Sequence, residues 1–129
     1  MSRSLEIELR DFFADHVGIA AVYLFGSFAR GTPGPDSDID IGILYDAAPP
    51  RTLAGQPFEV AADLGIRLGR EVELVVLNDA PVDLVHRVLR DGLIIAEPNK
   101  SKRIAFEVRS RNLYWDMKPL LDRYRGVRT

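Results

Sequence analysis

Gly26-Ser27-Phe28-Ala29-Arg30-Gly31-Thr32-Pro33-Gly34-Pro35-Asp36-Ser37-Asp38-Ile39-Asp40 joins a small-residue turn to a pair of carboxylates. The apolar run Ile19-Ala20-Ala21-Val22-Tyr23-Leu24-Phe25 leads into it, and Ile41-Gly42-Ile43-Leu44-Tyr45 leads out. Both runs are too short and too apolar for surface helices and read as buried strands. The turn and the acids are therefore mounted at strand ends, where an open α/β sheet usually keeps its active site.

Within the stretch, Gly31, Pro33, Gly34 and Pro35 break any ladder and mark a loop, so the second strand covers residues 38–44. Side chains two apart on a strand share a face at about 6.6 Å. Asp38 and Asp40 then project side by side while Ile39, Ile41 and Ile43 enter the core. Adjacent carboxylates repel, and divalent cations between them make the arrangement favourable; two metals roughly 3.5–4 Å apart suit in-line displacement at phosphorus. Oxygen-only donors favour magnesium or manganese. Gly26 lets the backbone approach a ligand closely, and Ser27 offers an amide and a hydroxyl to phosphate oxygens at the start of a short helix over residues 28–30. Arg30 adds a forked positive donor. Each half also has a plainer reading, Gly-Ser as an ordinary turn and Pro-Asp-Ser-Asp as the start of a strand with Asp40 facing solvent. The glycine spacing matches neither a P-loop nor a dinucleotide fingerprint.

A third acid is expected on a neighbouring strand over residues 72–77. Glu73 is the candidate, because a carboxylate among β-branched residues is expensive unless used. The alternative is an edge-strand charge that discourages aggregation. Elsewhere, Leu5, Leu9, Phe12 and Phe13 space a helix over residues 4–16. Thr52 is placed to cap a second helix whose apolar face is Phe58, Ala61, Ala62, Leu64 and Leu68, ending at Gly69. Asp79 and Pro81 signal a third, with Val82, Val85, Val88 and Leu89 inward and Gly92 as its stop. Residues 93–96 read as a short strand or extended segment, and Glu97-Pro98-Asn99 as a hinge. The tail is one helix or two, bent at Pro119. Its stripe of Phe106, Leu113, Met117, Leu120, Leu121 and Tyr124 reads as core packing, with a partner face as the alternative. His16 and His86 are isolated and receive no role.

With 129 residues, 47% hydrophobic and 28% charged, the chain fits a single domain over residues 1–129. The absence of cysteine excludes disulfides and thiolate metal sites and fits a reducing compartment. No secretory apolar region follows Met1 and no run nears membrane-spanning length, so a soluble, cytoplasmic protein is expected. The net charge of −2 is divided: residues 1–99 carry 8 basic and 16 acidic side chains, residues 100–129 carry 9 and 3. The basic helical segment 100–129 suggests a surface for something anionic, or a solvated helix face. Lys100, Lys102, Arg103, Arg109 and Arg111 would then steer an acidic partner.

Gly26-Ser27, ten residues, then Asp38-x-Asp40, with Arg30-Gly31 and Ser37 between, resembles the signature of the nucleotidyltransferase superfamily of DNA polymerase β. More narrowly, it looks like the minimal nucleotidyltransferases (MNT), antitoxins encoded beside HEPN toxins. The resemblance covers the signature closely and the remaining chain in outline. It implies an α/β (α+β) nucleotidyltransferase fold, a mixed β-sheet flanked by helices with a long C-terminal helix. Gly26, Ser27, Arg30 and Ser37 would bind ATP through its phosphates. Asp38 and Asp40 would bind two Mg2+ ions, with Mn2+ as an alternative. Glu73 would take the third carboxylate position, more often Asp in the family, as metal ligand and in activating the acceptor hydroxyl. The implied activity is a protein adenylyltransferase that moves AMP from ATP to a tyrosine of a HEPN RNase toxin, neutralising it within a hetero-oligomer. Neither membrane nor direct nucleic-acid binding is expected. The HEPN pattern of Arg, spaced residues, then His-x-Tyr does not occur, so the chain resembles the antitoxin half. Two alternatives stand beside this. One is a small-molecule nucleotidyltransferase like those that modify aminoglycosides, which usually carry a further acceptor domain. The other is a non-catalytic antitoxin acting by contact alone, against which the intact carboxylates argue.

Overall fold

The computed structural model describes residues 3–34, 37–47 and 56–124. Its sheet is built from β1 (Ile19–Phe25), β2 (Ile39–Tyr45), β3 (Val72–Val76) and β4 (Leu93–Ala96), ordered β3-β2-β1-β4. β1 pairs antiparallel with β2 and β4, whereas β2 and β3 run parallel, so the four-stranded sheet is mixed. The strands stand where the apolar runs placed them, within a residue.

Both faces of the central strands are covered, which is why their sequences run apolar without alternation. On one face Val22, Leu24, Ile39, Ile41 and Ile43 pack against Leu9 and Phe13 of α1 (Arg3–Phe13) and Val60 and Leu64 of α3 (Gln56–Leu68). On the other, Ala21, Tyr23 and Leu44 meet Val85 and Val88 of α4 (Val82–Asp91) and Phe106 of α5 (Lys100–Tyr124). A register shift between Ile19 and Ala21 turns both Ala20 and Ala21 toward this second face. Gln56 begins α3, and the expected Thr52 cap lies outside the described residues.

Four expectations need correction. α1 ends at Phe13 rather than residue 16, and the His16 N–H donates to the Phe13 carbonyl at 3.2 Å, closing the last turn. In α3 the inward row is Val60, Leu64 and Leu68, while Phe58 is 60% and Ile66 82% exposed. The helix carries two apolar rows at i, i+4 spacing, and the expected face mixed them. Asp79 does not cap α4: it ends a short 3-10 turn (Leu77–Asp79), and α4 starts after Pro81 with no side-chain cap.

The fourth concerns the tail. α5 is a single helix that continues through Pro119. Phe106 of the expected stripe is buried, but Leu113, Leu120 and Tyr124 are exposed. At 25 residues the helix is roughly 37 Å long, whereas a seven-residue strand spans about 23 Å. Beyond its first turns the helix overhangs the sheet, leaving Leu113, Leu120 and Tyr124 uncovered while Met117 and Leu121 stay half-buried. Its anchor is polar: Glu107 accepts hydrogen bonds from the Tyr23 hydroxyl and Arg103 Nη1, both at 2.7 Å, and pairs with Arg111 at 3.4 Å. Arg103 also forms an ion pair with Glu97, so it is spent inside the fold rather than free to steer a partner. No helix among the described residues is long and apolar enough to cross a membrane.

Candidate active site

β1 ends at Phe25, and the chain turns at once into α2 (Gly26–Arg30). Phe25 lies opposite Asp40 in the β1–β2 register, so the first residue of the turn sits against that carboxylate. Gly26 has φ +74°, and a Cβ there would fall on Oδ2 of Asp40. Glycine is thus required twice over, for the left-handed backbone and for the close approach. Gly31, also at φ +74°, caps α2, and the Thr32 N–H donates to the Ser27 carbonyl at 3.0 Å. Arg30, in the last turn, is exposed.

The loop then folds on itself at Ser37. Its Oγ accepts from the Gly34 N–H at 2.7 Å, while its own N–H donates to the Gly34 carbonyl at 3.3 Å. Ser37 can still offer a ligand its O–H. Asp38 follows, exposed, just before β2.

Strand alternation and register gather the acids. Ile39, Ile41 and Ile43 fill the first core face, so Asp40 points to the other. In β3, Leu74 packs toward the first face and Val75 toward the second, so Glu73 shares the face of Asp40. The parallel register pairs Asp40 with Glu73 directly. Burial, then the charges of Glu73 and Asp38, push the Asp40 carboxyl up to about 6, against the downward pull of Arg30. The nearness of Glu73 also favours the neutral form of Asp40. Among the described residues, no three acid or histidine side chains are drawn together closely enough to hold a metal ion. The arrangement is a pair of acids in direct register, Asp40 and Glu73, with a third acid, Asp38, acting on Asp40 through charge.

Sequence reasoning missed Arg70. Its Nη1 donates to the Ser37 carbonyl at 3.0 Å, and its guanidinium lies 5.1 Å from the centre of the Phe28 ring. The available signal was positional: Gly69-Arg70-Glu71 opens a strand that runs beside β2, which puts these residues next to the start of β2. His86 stacks face to face on Tyr114 at 3.6 Å between α4 and α5. Burial and Arg90 hold its pKa below the ordinary histidine value.

A family model described as Polymerase beta, Nucleotidyltransferase matches residues 8–101. The protein adenylyltransferase MntA of Shewanella oneidensis is 38% identical over 71 residues, 55% of this chain and 49% of that protein. The chain thus spans about half the length of this curated relative. A chain in the crystal structure of a toxin–antitoxin with AMP-PNP superposes with TM-score 0.74 at 27% identity, covering 92% of this chain and 97% of its own. An MntA–HpeT toxin–antitoxin mutant gives TM-score 0.71 at 27% identity, covering 92% and 96%. The span of the family match runs from α1 to the start of α5 and contains the glycine turn and all three acids, so by sequence and by fold the chain belongs to the polymerase β nucleotidyltransferase family.

Proposed function

We propose that this chain is an antitoxin of the cytoplasm that transfers AMP from ATP to a tyrosine hydroxyl of a HEPN RNase toxin and thereby silences it. The observation that carries the reading is the Asp40–Glu73 pair, held in direct register beside the Gly26 turn. The likeness to MntA and to a toxin–antitoxin with AMP-PNP supports an adenosine nucleotide and a toxin partner.

The donor chemistry fits magnesium. Asp38, Asp40 and Glu73, the residues that would hold the ion, present only hard oxygen ligands. Bound there, Mg2+ would supply charge neutralisation at the α-phosphorus and would make the attacking hydroxyl more acidic. The remaining steps belong to the chain. The open backbone at Gly26 and the amide and hydroxyl of Ser27 hold the phosphates, with Arg30 and the Ser37 O–H as further donors. Glu73 is the acceptor for the tyrosine proton. The tyrosine oxygen bonds to the α-phosphorus as its bond to the pyrophosphate oxygen breaks, leaving an AMP ester. Residues 1–129 act as one catalytic unit. The segment 100–129 offers the partner an uncovered apolar stripe on α5 with Lys100, Lys102 and Arg109 beside it.

Incubation with Mg2+ and ATP labelled on the α-phosphate, with and without the toxin, tests this. Label on the toxin that disappears in Asp38→Asn and Asp40→Asn is the expected result. Toxin neutralisation that survives both substitutions would show that contact alone suffices.

A further inference from the structure

The loop that delivers Asp38 is held from outside the signature. The main-chain groups on either side of Asp38 are both taken by the two residues preceding β3: the Ser37 carbonyl accepts from Arg70 Nη1 at 3.0 Å, and the Ile39 N–H donates to the Glu71 carbonyl at 3.0 Å. The same Arg70 guanidinium lies over the ring of Phe28, the buried residue of α2 next to Ser27. One side chain therefore touches both the helix that begins with Gly26-Ser27 and the loop that carries the first metal-site acid.

We propose that Arg70 is a positioning residue for nucleotidyl transfer, setting Asp38 against Asp40 and the Gly26-Ser27 turn by acting through Ser37 and Phe28. The need for it is electrostatic. Asp38 and Asp40 are like charges two residues apart, and like charges repel. Asp38 is exposed and follows a loop rich in glycine and proline, so it would swing outward. A guanidinium resists this in a way an ammonium cannot, because its plane stacks on an aromatic ring while its edge donates to a carbonyl.

The activity part of this inference rests on the proposed adenylyl transfer, whereas the hold on the loop does not. The test compares the full-length wild type with Arg70→Met and Arg70→Lys. In Arg70→Met, amide exchange at Ile39 should quicken roughly 10-fold, with the rest of β2 and the melting temperature unchanged. Affinity for Mn2+, read by electron paramagnetic resonance, and kcat for AMP transfer should each fall roughly 10- to 100-fold, while the KM for ATP stays within about a factor of two. Arg70→Lys should fall between the two. Unchanged Ile39 exchange or unchanged Mn2+ affinity in Arg70→Met would overturn the inference, as would full recovery in Arg70→Lys, since Arg70 would then act only as a charge. A wild-type chain that transfers no AMP would count against the proposed function, and the exchange and Mn2+ results would still decide the role of Arg70.

Discussion

Glu107 and Asp40 are carboxylates turned toward the same face of one sheet, and they are treated in opposite ways. Burial pushes the Glu107 pKa up, but hydrogen bonds from Tyr23 and Arg103 outweigh it and leave the group below the ordinary carboxylate value. Asp40 is pushed the other way, up to about 6, by burial and by the neighbouring acids Glu73 and Asp38. The first is a carboxylate whose compensation is built into the fold, and it fastens α5 to β1. The second lies among like charges, with the pull of Arg30 set against them. Burial together with like charges in a shared site is the kind of perturbation that clusters at functional sites, and it is the ground for placing Asp40 in the proposed active site.

Substituting the two acids should separate their roles. The largest effect belongs to Asp40→Asn, which should slow the proposed AMP transfer roughly 100- to 1000-fold, about 2.7–4 kcal/mol of barrier, measured with α-labelled ATP. Glu107→Ala should leave the chemistry intact and lower the unfolding free energy by about 3 kcal/mol, read from denaturant midpoints, because Arg103 and the Tyr23 hydroxyl lose their buried acceptor. If transfer fell with Glu107→Ala while stability held, the assignment of roles would be reversed.

The smallest effect sharpens the contrast most. A carboxyl whose folded-state pKa is raised stabilises the fold below the ordinary value of 3.8, and that stability is lost as pH rises through about 6. Asp40→Asn should therefore stabilise the nucleotide-free chain at neutral pH. Partial exposure of Asp40 to water reduces the full linkage value to about 1–2 kcal/mol, or roughly 3–8 °C in melting temperature. The gain should vanish near pH 3.5. One substitution would thus damage function and improve stability, the trade expected where a strained charge is kept for a ligand.

Much of this arrangement was legible in the chain itself. β1 and β2 announced themselves because burial on both faces leaves unbroken apolar runs. Gly26, Asp38 and Asp40 stood out because their spacing joins two strand ends. Glu73 was visible as a charge among β-branched residues, although only the parallel register shows that it faces Asp40. In α3 the rows Phe58-Ala62-Ile66 and Val60-Leu64-Leu68 are both apolar, and periodicity does not say which one meets the sheet. α5 overhangs a sheet whose extent no helical pattern encodes, so its stripe looked like core. Arg70 and Glu107 were hidden for another reason: their partners lie 33 and 84 residues away in sequence, and one of those partners is a main-chain carbonyl.

In the free chain, burial and the neighbouring acids hold the Asp40 carboxyl at about 6, and a bound cation would reverse that shift. Following the Asp40 carboxyl carbon by NMR through a pH titration, without ligand and then with Mg2+ and a non-hydrolysable ATP analogue, tests it directly. Without ligand the carboxyl should titrate at about 6, and the bound cation should carry that inflection below the ordinary carboxylate range. An ordinary aspartate value in the free chain, or an inflection that Mg2+ does not move, would contradict it.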